Sequence, residues 1–144
     1  MLENRNEIAI DAPVEKVWNI LIDLEKYAEW NPLLYNVKGK LAVGETVIAY
    51  AKTATKDMKF VCQVIRVEEQ REFAWKFPVI HPILFLGEHI FRIEPLGDAG
   101  VKFIDRELFK GLLLLTQSKD LQTNGLASMI EMGKALKEQA EKSW

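Results

Sequence analysis

The sequence predicts an α+β fold in which an antiparallel β-sheet is covered on one face by a long C-terminal α-helix, with two short helices after the first strand. Apolar residues alternate from residue 33 to about residue 110, and turn signals interrupt them about every ten positions. A helical apolar period then runs from about residue 113 to 142. No linker or repeat divides the chain, so a single domain over residues 1–144 is expected.

The segment before the sheet is predicted to hold one strand and two short helices. Residues 7–10 alternate as a strand does, and Asp11 is a candidate N-cap with Pro13 in the first helical turn. A second helix is predicted over residues 23–30, ending at Asn31 because proline disfavours helix in the residue before it. The first helix has an apolar face with spacing i, i+3, i+4, i+7 and i+8, formed by Val14, Val17, Trp18, Leu21 and Ile22.

The alternating region predicts an antiparallel meander of about six strands. Short turns join consecutive segments, so neighbours in sequence are expected to be neighbours in the sheet. The strands with the clearest pattern are residues 46–55, 58–67, 73–78, 87–94 and 101–110.

Composition excludes several classes of function. Nineteen basic and 21 acidic residues give a net charge of −2 without a basic run, so nucleic-acid binding is not expected. The charged start of the chain does not resemble a signal peptide and no transmembrane segment is expected, so the prediction is a cytoplasmic protein. The single cysteine, Cys62, lies in an alternating apolar run and is interpreted as a buried structural thiol.

Motifs along nearly the whole chain point to a known family. They are residues 8–18 (IAIDAPVEKVW), Asp23, Tyr27, residues 30–32 (WNP), Gly44, residues 73–75 (FAW), 87–91 (GEHIF) and 107–111 (ELFKG). In their order and spacing the chain resembles the SRPBCC superfamily, which includes START-related lipid-transfer domains and polyketide cyclase/dehydrase-like proteins. The resemblance implies the helix-grip fold, a curved sheet wrapped around the C-terminal helix, with a cavity for an apolar ligand between them. It implies no shared catalytic motif, because members use the cavity for unrelated tasks.

Strand alternation assigns an aromatic face to the sheet interior. This face is the predicted wall of the ligand cavity, formed by Phe73, Trp75, Phe77, Phe91, Phe103 and Phe109. Met129 and Gly133 of the long helix are expected to complete the wall. Gly125 and Gly133 lie within that helix either because they leave space for packing or ligand, or because the packed helix tolerates them.

Three titratable residues share the aromatic face and need an explanation, since an unpaired buried charge is costly. If Ile93 faces Val101 across the hairpin, then His89 faces Asp105 and the two satisfy each other. In a functional interpretation Asp105 orients His89 as a general base or as a donor to a ligand carbonyl; in the alternative they form a buried structural pair. Glu107 is a further cavity candidate, although solvent or a helix N-terminus is its more usual environment.

An apolar loop and the start of the long helix are predicted to form a gate over the cavity. The loop of residues 78–87 contains two prolines that keep it out of the sheet interior. It could instead meet a dimer partner or a membrane, or fold onto its own core. The gate residues are His81, Ile83, Phe85 and Leu113.

The leading hypothesis is that the protein binds or transports a small hydrophobic molecule, as a monomer or homodimer. The first alternative is an enzyme similar to polyketide cyclases or dehydrases, with His89 and Asp105 as the catalytic candidates. The second is a protein-interaction module resembling the chaperone-activator branch of the superfamily. No phosphate loop, nucleophile elbow or metal-ligand spacing occurs, so neither a cofactor nor a metal is expected.

Overall fold

A computed structural model describes residues 1–52, 56–78, 86–112, 114–115, 119 and 121–142. The described elements include seven strands that form one sheet. The strands are β1 (Leu2–Ile10), β2 (Leu34–Gly39), β3 (Thr46–Lys52), β4 (Asp57–Glu68), β5 (Glu72–Pro78), β6 (Leu86–Pro95) and β7 (Val101–Lys110). The predicted boundaries of β3 to β7 agree to within a few residues, except that residues 53–55 of the first predicted meander strand lie outside the described part. The first strand was predicted too short, because β1 begins at Leu2 and not at residue 7.

The sheet has the order β1-β7-β6-β5-β4-β3-β2, and every neighbouring pair is antiparallel. Strands β2 to β7 form the predicted meander. Strand β1 pairs with the edge of β7 that does not pair with β6, so the first and last strands in sequence are neighbours in the sheet. The predicted α+β class is confirmed.

The helices lie between β1 and β2 and at the end of the chain. Helix α1 spans Val14–Ile22, a 3₁₀ turn spans Leu24–Lys26, and α2 spans Tyr27–Trp30. The final helix, α3, spans Leu126–Glu141 and follows a π-helical turn at Leu121–Gly125. It packs mainly against β1, with further contacts to α1 and β7.

The prediction for the start of α1 is wrong, whereas the prediction for the final helix holds. Pro13, not Asp11, is the N-cap of α1, and no side chain caps that helix. The Asp11 backbone N–H instead donates to Glu141 Oε2 at 2.8 Å, which ties the start of α1 to the end of α3. The predicted long C-terminal helix is confirmed, with a π-helical turn that widens it just before Leu126. Its predicted start near residue 113 lies partly outside the described residues.

The core lies between the inner face of the sheet and the helices. Trp18 of α1 packs edge-on against Phe73 at 6.0 Å between ring centroids, and Leu136 of α3 is fully buried in the same cluster. Cys62 is buried, and burial raises the pKa of its thiol to about 12, as a structural thiol requires. Within the described residues, no helix has both the length and the apolar character to cross a membrane.

Candidate functional site

The six aromatic residues of the predicted wall share the inner face of β5, β6 and β7, and all of them are buried. Their rings contact one another across the strands. Phe73 and Phe91 stack with centroids 4.6 Å apart, and Trp75 meets Phe91 at 5.2 Å in an edge-to-face arrangement. Aromatic pairs of this kind add to the hydrophobic stabilisation of the face. The strand alternation therefore predicted this surface correctly.

The register predicted for the β6–β7 hairpin is wrong by two residues. Pro95, and not Ile93, pairs with Val101. The cause is a tighter turn than the sequence suggested, in which the Leu96 backbone N–H donates to Gly100 O at 2.8 Å. The strands consequently continue closer to the turn than predicted.

His89 and Asp105 nevertheless form the predicted contact. In the observed register His89 lies opposite Glu107, while Asp105 lies opposite Phe91. A shift of two residues keeps every side chain on its face, so His89 reaches Asp105 along the diagonal. His89 Nε2 is 2.5 Å from Asp105 Oδ1, and the two residues are 4% and 0% exposed.

Aromatic rings enclose the His89 imidazole. It stacks on Phe91 with centroids 3.9 Å apart and meets the Trp75 ring edge-on at 6.4 Å. These ring contacts hold the plane of the imidazole, and the hydrogen bond to the Asp105 carboxylate holds its rotation within that plane. The pair is therefore held in one orientation, as a positioned acid–base group or a buried structural pair both require.

Electrostatic coupling links the pair to Glu107. Burial lowers the pKa of His89, but the charge of Asp105, their hydrogen bond and the charge of Glu107 raise it, and the net pKa lies above its ordinary value. Burial raises the pKa of Glu107 to about 7; the charge of His89 opposes this shift and that of Asp105 adds to it. Glu107 is thus a group that exchanges a proton near neutral pH.

Two asparagines that the sequence analysis missed extend this group into a polar cluster. Asn4 of β1 lies opposite Glu107, and Asn6 lies opposite Asp105. Asn4 is buried and Asn6 is partly buried. The polar cluster, as we call it, consists of Asn4, Asn6, His89, Asp105 and Glu107. The alternation of residues 2–10 contained the signal, because an asparagine at an inward position of a strand is unusual.

Helix α3 and the turn before it cover the polar cluster at two glycines. A Cβ atom on Gly125 would lie 2.8 Å from Asn4 Nδ2 and 3.7 Å from Glu107 Oε1. A Cβ atom on Gly133 would lie 2.9 Å from Asn6 Nδ2. The two glycines therefore serve close packing of the helix on β1, since asparagine amides occupy the space beside them. Glu107 accordingly lies close to Gly125, at the end of the π-helical turn that precedes α3.

One oxygen of the buried pair has no partner. Among the described residues, buried side-chain atoms without a hydrogen-bond partner are Asp105 Oδ2 and Asn31 Nδ2. The nearby Tyr27 does not supply a proton to Asp105, because its hydroxyl donates to Leu21 O at 2.5 Å. Burial, followed by the charges of Asp105 and Asp23, raises the pKa of Tyr27, so its hydroxyl stays protonated.

The structure does not test the predicted gate over the cavity. His81, Ile83, Phe85 and Leu113 all lie outside the described residues. Met129, which was expected to line the cavity, is fully buried on α3.

A separate groove of about 600 Å³ lies on the outer side of the helices, and the sequence analysis did not predict it. It runs between α1, α2 and the end of α3, with Trp30 in its wall. Half of the lining residues are charged; they are Asp11, Glu15, Lys16, Asp23, Lys26, Glu29 and Glu141. An apolar ligand would desolvate these charges, so the groove is a poor site for one.

The described residues contain no group of three histidine, cysteine, aspartate or glutamate side chains arranged to hold a metal ion. The site is therefore characterised by its aromatic wall and its polar cluster.

Comparison with solved structures shows the same fold in proteins of low sequence identity. The di-domain ARO/CYC BexL from the BE-7585A biosynthetic pathway matches with a TM-score of 0.79 at 11% identity, over 99% of this chain and 51% of its own. This chain thus spans about half of that protein. TTHA0849 from Thermus thermophilus matches with a TM-score of 0.77 at 17% identity, over 96% and 97% of the two chains. A START superfamily protein from Mycobacterium smegmatis matches with a TM-score of 0.77 at 18% identity, over 96% and 97%.

The family is shown by a sequence model. No curated protein matches the chain in sequence. The model described as polyketide cyclase/dehydrase and lipid transport matches residues 1–132, most of the chain. Together with the fold, this match confirms the resemblance to START-like SRPBCC proteins. The chain therefore belongs to the polyketide cyclase/dehydrase and lipid transport family.

Proposed function

We propose that the protein binds or transports a small hydrophobic ligand, of lipid or polyketide type, between the inner face of the sheet and α3. The observation that carries the proposal is the combination of an aromatic wall with a buried polar cluster at one side of it. Ligand sites in proteins typically pair an apolar lining with a few polar groups that fix orientation. Membership of the family supports the same class of function.

The aromatic wall would supply most of the affinity. Burial of apolar surface contributes about 25 cal/mol per Å², so about 300 Å² of ligand surface would give roughly 7 kcal/mol before the cost of association. The polar cluster would select the orientation of the ligand. Monomer or homodimer, and location in the cytoplasm, remain predictions.

Native mass spectrometry of the protein purified gently from its own host tests the proposal. We expect one small apolar molecule per chain, released on denaturation and identified by extraction. Phe109→Ala removes a wall residue and should lower the retained fraction several-fold. Leu108→Ala, on the same strand but on the opposite face, is the matched control and should retain the ligand.

Two results would contradict the proposal. An empty protein, or equal retention by the Phe109 and Leu108 variants, would show that the wall does not hold a ligand.

A second candidate, an enzyme similar to cyclases or dehydrases, has one observation in its favour. Glu107 has a pKa of about 7 and lies opposite a histidine that is fixed by a carboxylate. Groups that exchange protons near neutral pH are suited to general acid–base catalysis. If the protein is such an enzyme, His89→Ala and Asp105→Asn should abolish turnover of a polyketide substrate and change ligand retention only modestly. Small effects of both variants on turnover and on retention would leave the pair a structural role.

A further inference from the structure

The unpartnered oxygen of Asp105 defines a specific chemical demand. Asp105 is fully buried, and its Oδ1 is already paired with His89 Nε2 at 2.5 Å. Its Oδ2 has no partner among the described residues. Leaving a buried polar atom unpaired is costly, and more so when the group is charged. A donor that meets Oδ2 would recover this free energy.

Among the described residues, no side chain meets this demand. Asn31 Nδ2 is also unpaired, so the two atoms do not satisfy each other. The Tyr27 hydroxyl is committed to Leu21 O. The described side chains therefore do not supply this donor, and Asp105 lies opposite Phe91 of the aromatic wall, against which the proposed function places the ligand.

The charges around Oδ2 restrict the chemistry of that donor. An ionised ligand carboxylate or phosphate has no hydrogen to donate to Oδ2, and it would place an anionic group beside the buried Asp105 oxygen. A cation is disfavoured for a different reason. Asp105 is fully buried and its Oδ1 is already paired with His89, so a ligand ammonium would lose its hydration in a dry site where only one carboxylate oxygen is left to compensate it.

We infer that the ligand carries an uncharged hydroxyl group that donates a hydrogen bond to Asp105 Oδ2, while its apolar body contacts the aromatic wall. This inference rests on the proposed function and specifies its ligand class. The hydroxyl belongs either to a phenol, as on a fused aromatic skeleton, or to an aliphatic alcohol. Fatty acids and phospholipids are disfavoured, since their polar ends carry an ionised carboxylate or phosphate.

Two series of matched probes test the inference by calorimetric titration of the purified, ligand-stripped protein. The aromatic series is 9-phenanthrol, 9-methoxyphenanthrene and phenanthrene-9-carboxylate. The aliphatic series is 1-dodecanol, 1-methoxyundecane, dodecanoate and dodecylammonium. In the series that binds, we expect the hydroxyl probe to bind at least ten-fold more tightly than its ether, which cannot donate, and than its charged analogues.

Variants at two aspartates locate the effect. Asp105→Asn places an amide beside His89 and should reduce the ten-fold preference for hydroxyl over ether to less than three-fold. Asp98→Asn makes the same chemical change in the exposed 3₁₀ turn at Gly97–Ala99 and should leave the preference intact. If Asp105→Asn does not fold, the comparison of probes on the unaltered protein decides the inference.

The outcomes separate the inference from the function on which it rests. Equal affinity for hydroxyl and ether, or a preference for an anion or ammonium, would overturn the inference and leave ligand binding in place. A hydroxyl preference that survives Asp105→Asn would also overturn it. Failure of every probe in both series to bind would overturn the proposed function for these ligand classes, and the inference with it.

Discussion

The pKa of Glu107 is set by its burial and by the charges around it. Glu107 stands on the inner face of β7, opposite His89 on one side and Asn4 on the other. Burial and the neighbouring Asp105 carboxylate favour its neutral form, whereas His89 favours its charged form. Burial dominates, and the pKa of Glu107 rises to about 7.

This raised pKa predicts a pH dependence of stability that Glu107→Gln removes. The pKa of an ordinary glutamate is 4.5, so between pH 4.5 and about 7 the folded state holds a proton that the unfolded state has released. The free energy of unfolding therefore falls as the pH rises through this window. We expect the variant to gain about 2 kcal/mol on the wild type between pH 5 and 8, after allowance for partial exposure of the carboxyl group. Urea denaturation at both pH values measures the difference.

Glu88→Gln is the control for this experiment. Glu88 lies on β6 next to His89 and points to the opposite face. Its variant should follow the wild-type pH profile, including the contribution of His89. Parallel profiles for the wild type and Glu107→Gln would contradict the raised pKa of Glu107.

The His89–Asp105 pair predicts strong coupling in a double-mutant cycle. Removing one partner leaves the other buried without compensation, so His89→Gln and Asp105→Asn should each cost about 3 kcal/mol of unfolding free energy. The double variant should cost at least about 1.5 kcal/mol less than the sum of the two, because the second change removes a group that has already lost its partner.

Chemical denaturation at pH 6 provides these values, with Asp98→Asn expected to lie within about 0.5 kcal/mol of the wild type. Additive costs for the two single variants would mean that the 2.5 Å contact contributes no specific free energy.

At the scale of elements, the sequence predicted which face of the sheet each side chain occupies better than it predicted which residues pair across neighbouring strands. Alternation alone identified Asp105 and His89 as inward-facing, and burial confirms this. The pairing register of β6 and β7 depends on the length of the turn after Pro95. This turn is a hydrogen-bonded 3₁₀ turn and is shorter than the loop that the sequence predicted. A period of two is insensitive to a shift of two residues, so the predicted contact was found although the pairing was wrong.

The polar cluster could not be predicted as a whole, because it depends on which strands become neighbours. Asn4 and Asn6 precede the strand that the sequence analysis recognised at residues 7–10. Their place beside β7 follows from the pairing of the first strand with the last, a contact between distant parts of the chain. Local patterns carry little information about such pairings.

The contact between α3 and β1 predicts an unusual effect of Gly133→Ala. In an exposed helix this change would stabilise the protein by about 1 kcal/mol. Here the new Cβ would lie 2.9 Å from Asn6 Nδ2, so the end of that side chain must move aside, and we expect Gly133→Ala to bring no gain in the free energy of unfolding. In an Asn6→Ala background the obstacle is gone, so the same change should become stabilising.

Thermal and urea denaturation of the four proteins in this set measure both effects. A stabilising effect of Gly133→Ala in the wild-type background would show that the helix does not rest on Asn6.

At the scale of the whole molecule, the arrangement divides polar interactions between the two sides of the sheet. On the outer face Glu72 bonds to Arg66 and lies 3.3 Å from Arg92, while Arg106 lies 2.6 Å from Glu3. On the inner face the described charged groups gather in the polar cluster beside the aromatic wall. The outer pairs support the sheet, and the inner groups are the ones that a ligand in the interior would meet.

A ligand held in this interior would stabilise the whole fold, which gives a prediction for the protein stripped of ligand. A molecule that binds the folded state alone adds RT ln(1 + [L]/Kd), or about 2.7 kcal/mol at a free concentration of 100 Kd. For a chain of this size each kcal/mol shifts Tm by roughly 2–4 °C. We therefore expect extraction of the bound molecule to lower Tm by about 5–10 °C, and its return to restore the original value. Differential scanning calorimetry of the gently purified, stripped and reloaded protein measures the three values.

Phe109→Ala should show a smaller difference in Tm between its loaded and stripped forms than Leu108→Ala, because only Phe109 belongs to the wall. An unchanged Tm after complete extraction would place the molecule outside the interior, since a ligand enclosed by the sheet and α3 cannot leave without weakening their association.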